Sequence, residues 1–116
     1  MTDQQKALSC RAVACKGWRW MPGMRTVRDD GHGFHIGCTV AASKVKPEWL
    51  PDLTDPATLG CLLALVREAH GDPVLFARFR GARAHPDWVV SWDGSDVIAT
   101  GATEAEALVA ALEAAP

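Results

Sequence analysis

Residues 55–73, DPATLGCLLALVREAHGDP, constrain the chain more than any other stretch, because they carry a helix start and a helix stop at helix distance. Asp55 can accept hydrogen bonds from the first free amides of a helix. Pro56 at the first helical position loses nothing, since the amide there has no partner in a helix. Leu59, Leu62, Leu63 and Val66 follow at i, i+3, i+4 and i+7, the spacing of one helix face. Cys61 and Leu65 widen that stripe, which predicts a helix at the centre of the fold. Gly60 costs about 1 kcal/mol against Ala in a helix interior, and close backbone packing is the expected reason for it. Gly71-Asp72-Pro73 ends the helix. His70, just before the stop, is expected to be structural, since a cation there suits the helix dipole.

Two further helices flank this one. Residues 3–16 read as a helix capped by Asp3 and ended by Gly17, with Leu8, Ala12 and Cys15 on one face. Thr103 and Glu106 have capping-box spacing, each able to satisfy a backbone amide of the other. Leu108, Leu112 and Ala115 then put one face of the last helix on the core.

The segments between read as strands and turns. Pro22-Gly23 suits the centre of a type II turn, because Pro fixes the first dihedral and Gly accepts positive φ at the second. Residues 24–28 and 34–40 read as two strands around 29–33, with Phe34, Ile36, Cys38 and Val40 alternating with His35, Gly37 and Thr39. Residues 41–54, with Pro47 and Pro51, read as a loop pinned to the core by Trp49 and Leu50. Residues 74–80, 87–92 and 97–100 read as three more strands, with His85 in an 81–86 turn and 93–96 as a tight turn. The order is α-β-β-α-β-β-β-α. It predicts an α+β domain over residues 1–116, with helices covering one face of a largely antiparallel sheet.

Composition bounds the function. The chain has 116 residues, 48% apolar, with 12 Lys+Arg against 14 Asp+Glu and a net charge of −2. A chain of this size buries roughly two thirds of its unfolded surface and needs no metal or disulfide to be stable. The longest strongly apolar run, 59–66, is far short of the about 20 residues that span a bilayer. The start Met1-Thr2-Asp3-Gln4-Gln5 has neither the basic nor the apolar part of a signal peptide. A cytoplasmic protein is expected, with Cys10, Cys15, Cys38 and Cys61 as reduced thiols.

Candidate chemistry is sparse. His32, His35 and Cys38 lie close in sequence, and Cys10 and Cys15 could add thiolates, but no CxxC pair occurs. On a strand His35 points away from Cys38, and His32 lies about 20 Å from Cys38 along the chain. Zinc ligands must lie within about 2.3 Å of one point, so no metal and no cofactor are expected. No nucleophile–base spacing and no phosphate-cradling glycine pattern occurs, so the chain is not expected to be an enzyme. The α-β-β-β-α order of the second half suggests double-stranded RNA. The last helix, however, offers Glu104, Glu106 and Glu113 where phosphates need Lys, so that partner is not expected.

The aromatic set is unusual, with five Trp and no Tyr. Residues 11–28 hold Arg11, Lys16, Arg19, Arg25 and Arg28 and no acid, so this part of the chain can attract an anion, or it is a solvated face. Within it, an extended Trp18-Arg19-Trp20 puts two indoles on one side. Trp18, Arg19, Trp20, Arg25 and Arg28 are therefore the candidate binding residues. Indoles with guanidinium groups can stack a base and hold a phosphate, or anchor a protein interface. The competing reading is that both indoles close the core beneath the first helix. Trp49, Trp88 and Trp92 read as packing.

Three stretches carry a resemblance: residues 18–24 (WRWMPGM), 55–73 and 103–116 (TEAEALVAALEAAP). Together, in this order, they resemble a group of small proteins of tailed bacteriophages and prophages that has no assigned activity. They cover about a third of the chain. The group often has Trp where this chain has His70, and its segments corresponding to 25–48 and 74–100 vary, so no site there carries over. The resemblance implies origin, and mechanism inferred from it is association only. The leading expectation is a phage-encoded accessory protein that binds a host protein without catalysis and modulates or inhibits it, as in counter-defence. A protein that sequesters a nucleotide-like small molecule is the second reading. A structural or homo-oligomeric phage protein is the third.

Overall fold

The computed structural model describes residues 2–29, 34–38, 45–82, 85–92 and 96–116. The element order is α1 (Asp3–Ala14), β1 (Arg25–Asp29), β2 (Phe34–Cys38), β3 (Leu50–Pro51), α2 (Pro56–His70), β4 (Phe76–Ala82), β5 (His85–Ser91), β6 (Val97–Gly101) and α3 (Glu104–Glu113). This is the expected α+β order with one short strand added. Residues 30–33, 39–44, 83–84 and 93–95 lie outside the described residues, with the turns and strand ends read there.

Local chemistry sets each element. Thr2, not Asp3, caps α1: its side chain accepts from Gln5 N while the Gln5 side chain accepts from Thr2 N. Asp3 sits in the first turn, where a negative charge suits the dipole. Gly17 does not cap α1, which gives way at Cys15 to extended backbone. A Cβ at Gly17 would lie 3.1 Å from Leu112 Cδ1 and 3.2 Å from Ala69 Cβ, so this glycine serves close approach to other helices. The 21–24 turn forms as expected: Met24 N donates to Met21 O at 3.2 Å and Gly23 takes φ 95°.

Antiparallel pairing is divided between two three-stranded sheets, β2-β1-β3 and β4-β5-β6. In the first, β1 is central and pairs with β2 from Arg25↔Cys38 to Asp29↔Phe34. Its other edge takes β3 through Thr26↔Pro51 and Val27↔Leu50, so the 41–54 stretch is not all loop. Ser9 Oγ donates to Pro51 O at 2.9 Å, fastening α1 to this strand. Trp49 does not join the core; Lys46 Nζ lies 5.9 Å from its ring centroid.

In the second sheet, β4 and β5 form a hairpin from Phe76↔Ser91 to Ala82↔His85. His85 therefore belongs to a strand and not to a turn. Pro86 is tolerated there because β6 begins pairing with β5 only at Trp88. A bulge between Val90 and Ser91 shifts the β6 register. Ala77, Val90 and Ala99 form one cross-strand row on the core side of the sheet, and Phe79, Trp88 and Gly101 form the next.

α2 starts and stops as its sequence requires. Asp55 accepts from Thr58 N at 3.0 Å, and Gly71 closes the helix in the left-handed region at φ 64°. Asp72 N reaches back to Arg67 O at 2.9 Å. However, α2 is not the central helix. It buries Thr58, Leu62, Leu65 and Val66 of its 15 residues, whereas α3 buries Ala105, Ala107, Leu108, Val109, Ala111 and Leu112 of its ten. A helix apolar on nearly every side belongs inside. α3 packs against the β4–β6 sheet on one side and against α1 and α2 on the other. Its Ala side chains allow that closeness. At Gly101 a Cβ would lie 2.5 Å from Ala107 N, so the strand has no room for a side chain there. Gly60, by contrast, is exposed with nothing within 4 Å of a built Cβ, so close packing does not explain it.

The α3 cap is also shifted from the expected box. Thr103 accepts from Glu106 N, but the Glu106 carboxylate accepts from Ala102 N at 3.0 Å, one residue before the cap.

Candidate functional site

The 15–24 connection between α1 and β1 positions the tryptophan segment. The chain leaves α1 at Cys15, turns through Trp18 N to Cys15 O at 3.0 Å, and runs outside any helix or strand to the Met21–Met24 turn. Trp18 and Trp20 come together on one side, with ring centroids 5.4 Å apart and planes at 83°. Such an edge-to-face pair is worth about 0.5–1.5 kcal/mol beyond the area it buries. Both rings are half-buried and pack against the core cluster. Trp18 Nε1 is buried with no hydrogen-bond partner among the described residues.

The basic residues around them separate. Arg19 is exposed and its guanidinium pairs with Glu68 on the outer side of α2. Arg25 and Arg28 fall on opposite faces of β1, three residues apart on a strand of period two. Arg28 is half-buried, on the face of buried Thr26, while Arg25 is exposed on the face of Val27. The structure thus brings Trp18 and Trp20 together, ties Arg19 to Glu68 of α2, places Arg25 elsewhere and turns Arg28 away from Arg25.

Arg11, the first base of the acid-free stretch, is also engaged. Its guanidinium forms a two-point hydrogen bond with Glu113 at 3.2 and 2.5 Å. The basic front of the chain and its acidic last helix therefore meet each other. The hydrogen bond to Glu113 raises the Arg11 pKa, and the one from Arg11 lowers that of Glu113 below the ordinary carboxylate range.

Arg25 lines a cleft of about 750 Å³ among the described residues. Its walls come from the start of α1, the start of α3 and the 52–54 turn. That turn is fixed by Asp52, which is 8% exposed and accepts from Thr54 N and Oγ at 3.0 and 2.5 Å. Thr58 holds the wall behind it: its hydroxyl accepts from Arg25 N at 2.8 Å and donates to Asp55 at 2.9 Å. Nothing in the sequence pattern singles out Thr58 or Asp52 for this role. The volume suits a small ligand. The lining does not suit a nucleotide: it has no aromatic ring, and Asp52, Glu104 and Glu106 outnumber Arg25.

A smaller cleft, about 520 Å³, lies at the end of α1 and is lined by Arg11, Cys15, Gly17 and Glu113 among others. Burial, and then the Glu113 charge, push the Cys15 thiol up, so it is held as thiol and not as the reactive thiolate. Cys10 is exposed and Cys61 half-buried against the core; both are free. Among the described residues no group of three or more His, Cys, Asp or Glu could hold a metal ion. His32 lies outside the described residues, as do the side chains of His35 and Cys38. His70 ends α2, and its Nε2 donates to Ala111 O at 2.7 Å, stitching α2 to α3.

The remaining tryptophans divide. Trp88 packs on the core and against Phe79 at 5.8 Å, but Trp92, read as packing, is 44% exposed. Phe79, at 53%, and Val97, at 40%, are exposed on the same sheet. Parity along a strand cannot find Trp92, because it follows the last paired residue of β5. Among the described residues no helix is long and apolar enough to cross a membrane. Comparison of the chain with protein-family models, with curated proteins and with solved structures finds no match.

Proposed function

We propose that this chain is a phage- or prophage-encoded accessory protein that acts by binding a host protein in the cytoplasm, without catalysis. One observation carries the reading: Trp18 and Trp20 are locked edge to face and half-covered, and Arg19, between them in the chain, is exposed and, among the described residues, paired only with the exposed Glu68. A contact element of two rigid indoles and an Arg loses little side-chain entropy on binding, and Trp and Arg dominate interface energetics. The resemblance of three sequence stretches to small tailed-phage proteins supports the origin. Arg25 and Arg28, on opposite faces of β1, are assigned to the rim at most.

The test is a pull-down from host cells with wild type beside Arg19→Glu, with Arg25→Glu as comparison. Arg19 and Glu68 are both more than half exposed, so breaking their pair costs little stability. A captured protein that is lost with Arg19→Glu and kept with Arg25→Glu supports the reading. Identical capture by all three, or none by wild type, overturns it.

A further inference from the structure

The β4–β6 sheet has two edges, and their charges differ. β4 carries Arg78 and Arg80 on either side of exposed Phe79, with Arg80 paired to Asp87 of β5 at 3.0 Å. Antiparallel pairing of β4 with its own copy, centred on Phe79, would set Arg78 opposite Arg80 twice over. Charged residues on an edge are a common guard against such pairing. β6, Val97-Ile98-Ala99-Thr100-Gly101, has no charge at all. Among the described residues it pairs with β5 alone, so on every second residue the amide and carbonyl point away from the sheet.

We propose that β6 pairs antiparallel with β6 of a second copy of this chain, giving a continuous six-stranded sheet about a two-fold axis. This is independent of the host-binding reading above. The strand is self-complementary when centred on Ala99. Val97, 40% exposed, falls opposite Gly101 of the other copy, on the face that α3 covers, and Ile98 falls opposite Thr100. The nearest charge, Asp96, falls opposite Ala102, so no like charges meet. α3 packs on one face of the sheet, most closely at β6, while α1 and α2 pack on α3 and make no comparable contact with β4–β6. The exposed Trp92 ring, at the end of β5 beside the start of β6, adds apolar surface next to the seam. A two-fold seam of this kind uses one surface on both subunits and closes on itself, leaving the Arg-bearing β4 edges outermost.

Sedimentation and light scattering over a concentration series test this. Wild type is expected at twice the 12.5 kDa chain mass. Val97→Lys/Thr100→Lys changes two exposed positions and is expected to run at the single-chain mass with an unchanged circular dichroism spectrum. Phe79→Lys, on the other edge, is expected to remain a dimer. Amide hydrogen exchange on the unmodified chain gives an independent reading: residues 97–101 should slow as concentration rises, while β4 does not. A single-chain mass for wild type at all concentrations overturns the proposal. So does a double-lysine variant that stays dimeric, a dimer broken by Phe79→Lys, or β6 exchange that ignores concentration.

Discussion

α2 and α3 make an instructive pair. α2 carries the bulky leucine stripe that sequence reading favours for a central helix, yet it covers the core from outside. α3 is dominated by alanine and is enclosed on nearly every side. The difference lies in side-chain size: a helix between a sheet and two other helices must be approached closely from several directions. Alanine permits this and leucine does so only in part. Gly17 and Gly101 extend the same logic to α3's neighbours, each leaving room for a close contact.

The contrast can be tested by substitution. Leu108→Ala, at a fully buried position of α3, is expected to cost about 2–5 kcal/mol in chemical denaturation. Leu63→Ala, on the half-buried face of α2, should cost clearly less, and equal losses would break the comparison. Ala111→Leu fills a space already taken and is expected to cost about 1–3 kcal/mol. Gly60→Ala should act in the opposite direction. Its site is open helix surface, so the change is expected to stabilise by about 0.5–1 kcal/mol and raise the melting temperature.

The smallest effect is expected at Glu113, which ties α3 to Arg11 of α1 with both side chains well exposed. Glu113→Gln should cost about 0.5 kcal/mol or less at neutral pH. The carboxyl pKa is lowered in the fold, so the pair's contribution is full above the ordinary value of 4.5. It fades as pH falls through the lowered folded value. Melting curves of wild type and variant should therefore converge on acidification. A gap that widens would reverse the assignment.

Where the chain's own chemistry is local, sequence reading works. Asp55-Pro56, Gly71 and Pro22-Gly23 specify caps and a turn through their own dihedrals and hydrogen bonds, and all form. The α1 cap lies one residue earlier than expected, at Thr2, while Thr103 caps α3 as expected and only its partner Glu106 takes a different amide, that of Ala102. What escaped was long-range. Among the described residues the two hairpin groups do not pair with each other, and the first gains its third strand from β3, two residues that have no strand signal of their own and are strand only because β1 offers an edge. The half-burial of Trp18 and Trp20 and the exposure of Trp92 depend on which other elements arrive over each ring. Arg25 and Arg28 share a run in sequence and part on the strand, a separation visible only once β1 is placed.

The placement of α3 has a consequence for how the chain comes to be folded. The element that α1, α2 and the β4–β6 sheet all lean on is the last of the three helices in chain order. Until it emerges from the ribosome, the earlier helices and the β4–β6 sheet have no common surface to settle against. The surface shared by α1, α2 and the β4–β6 sheet therefore closes only after residue 113 or so has been translated.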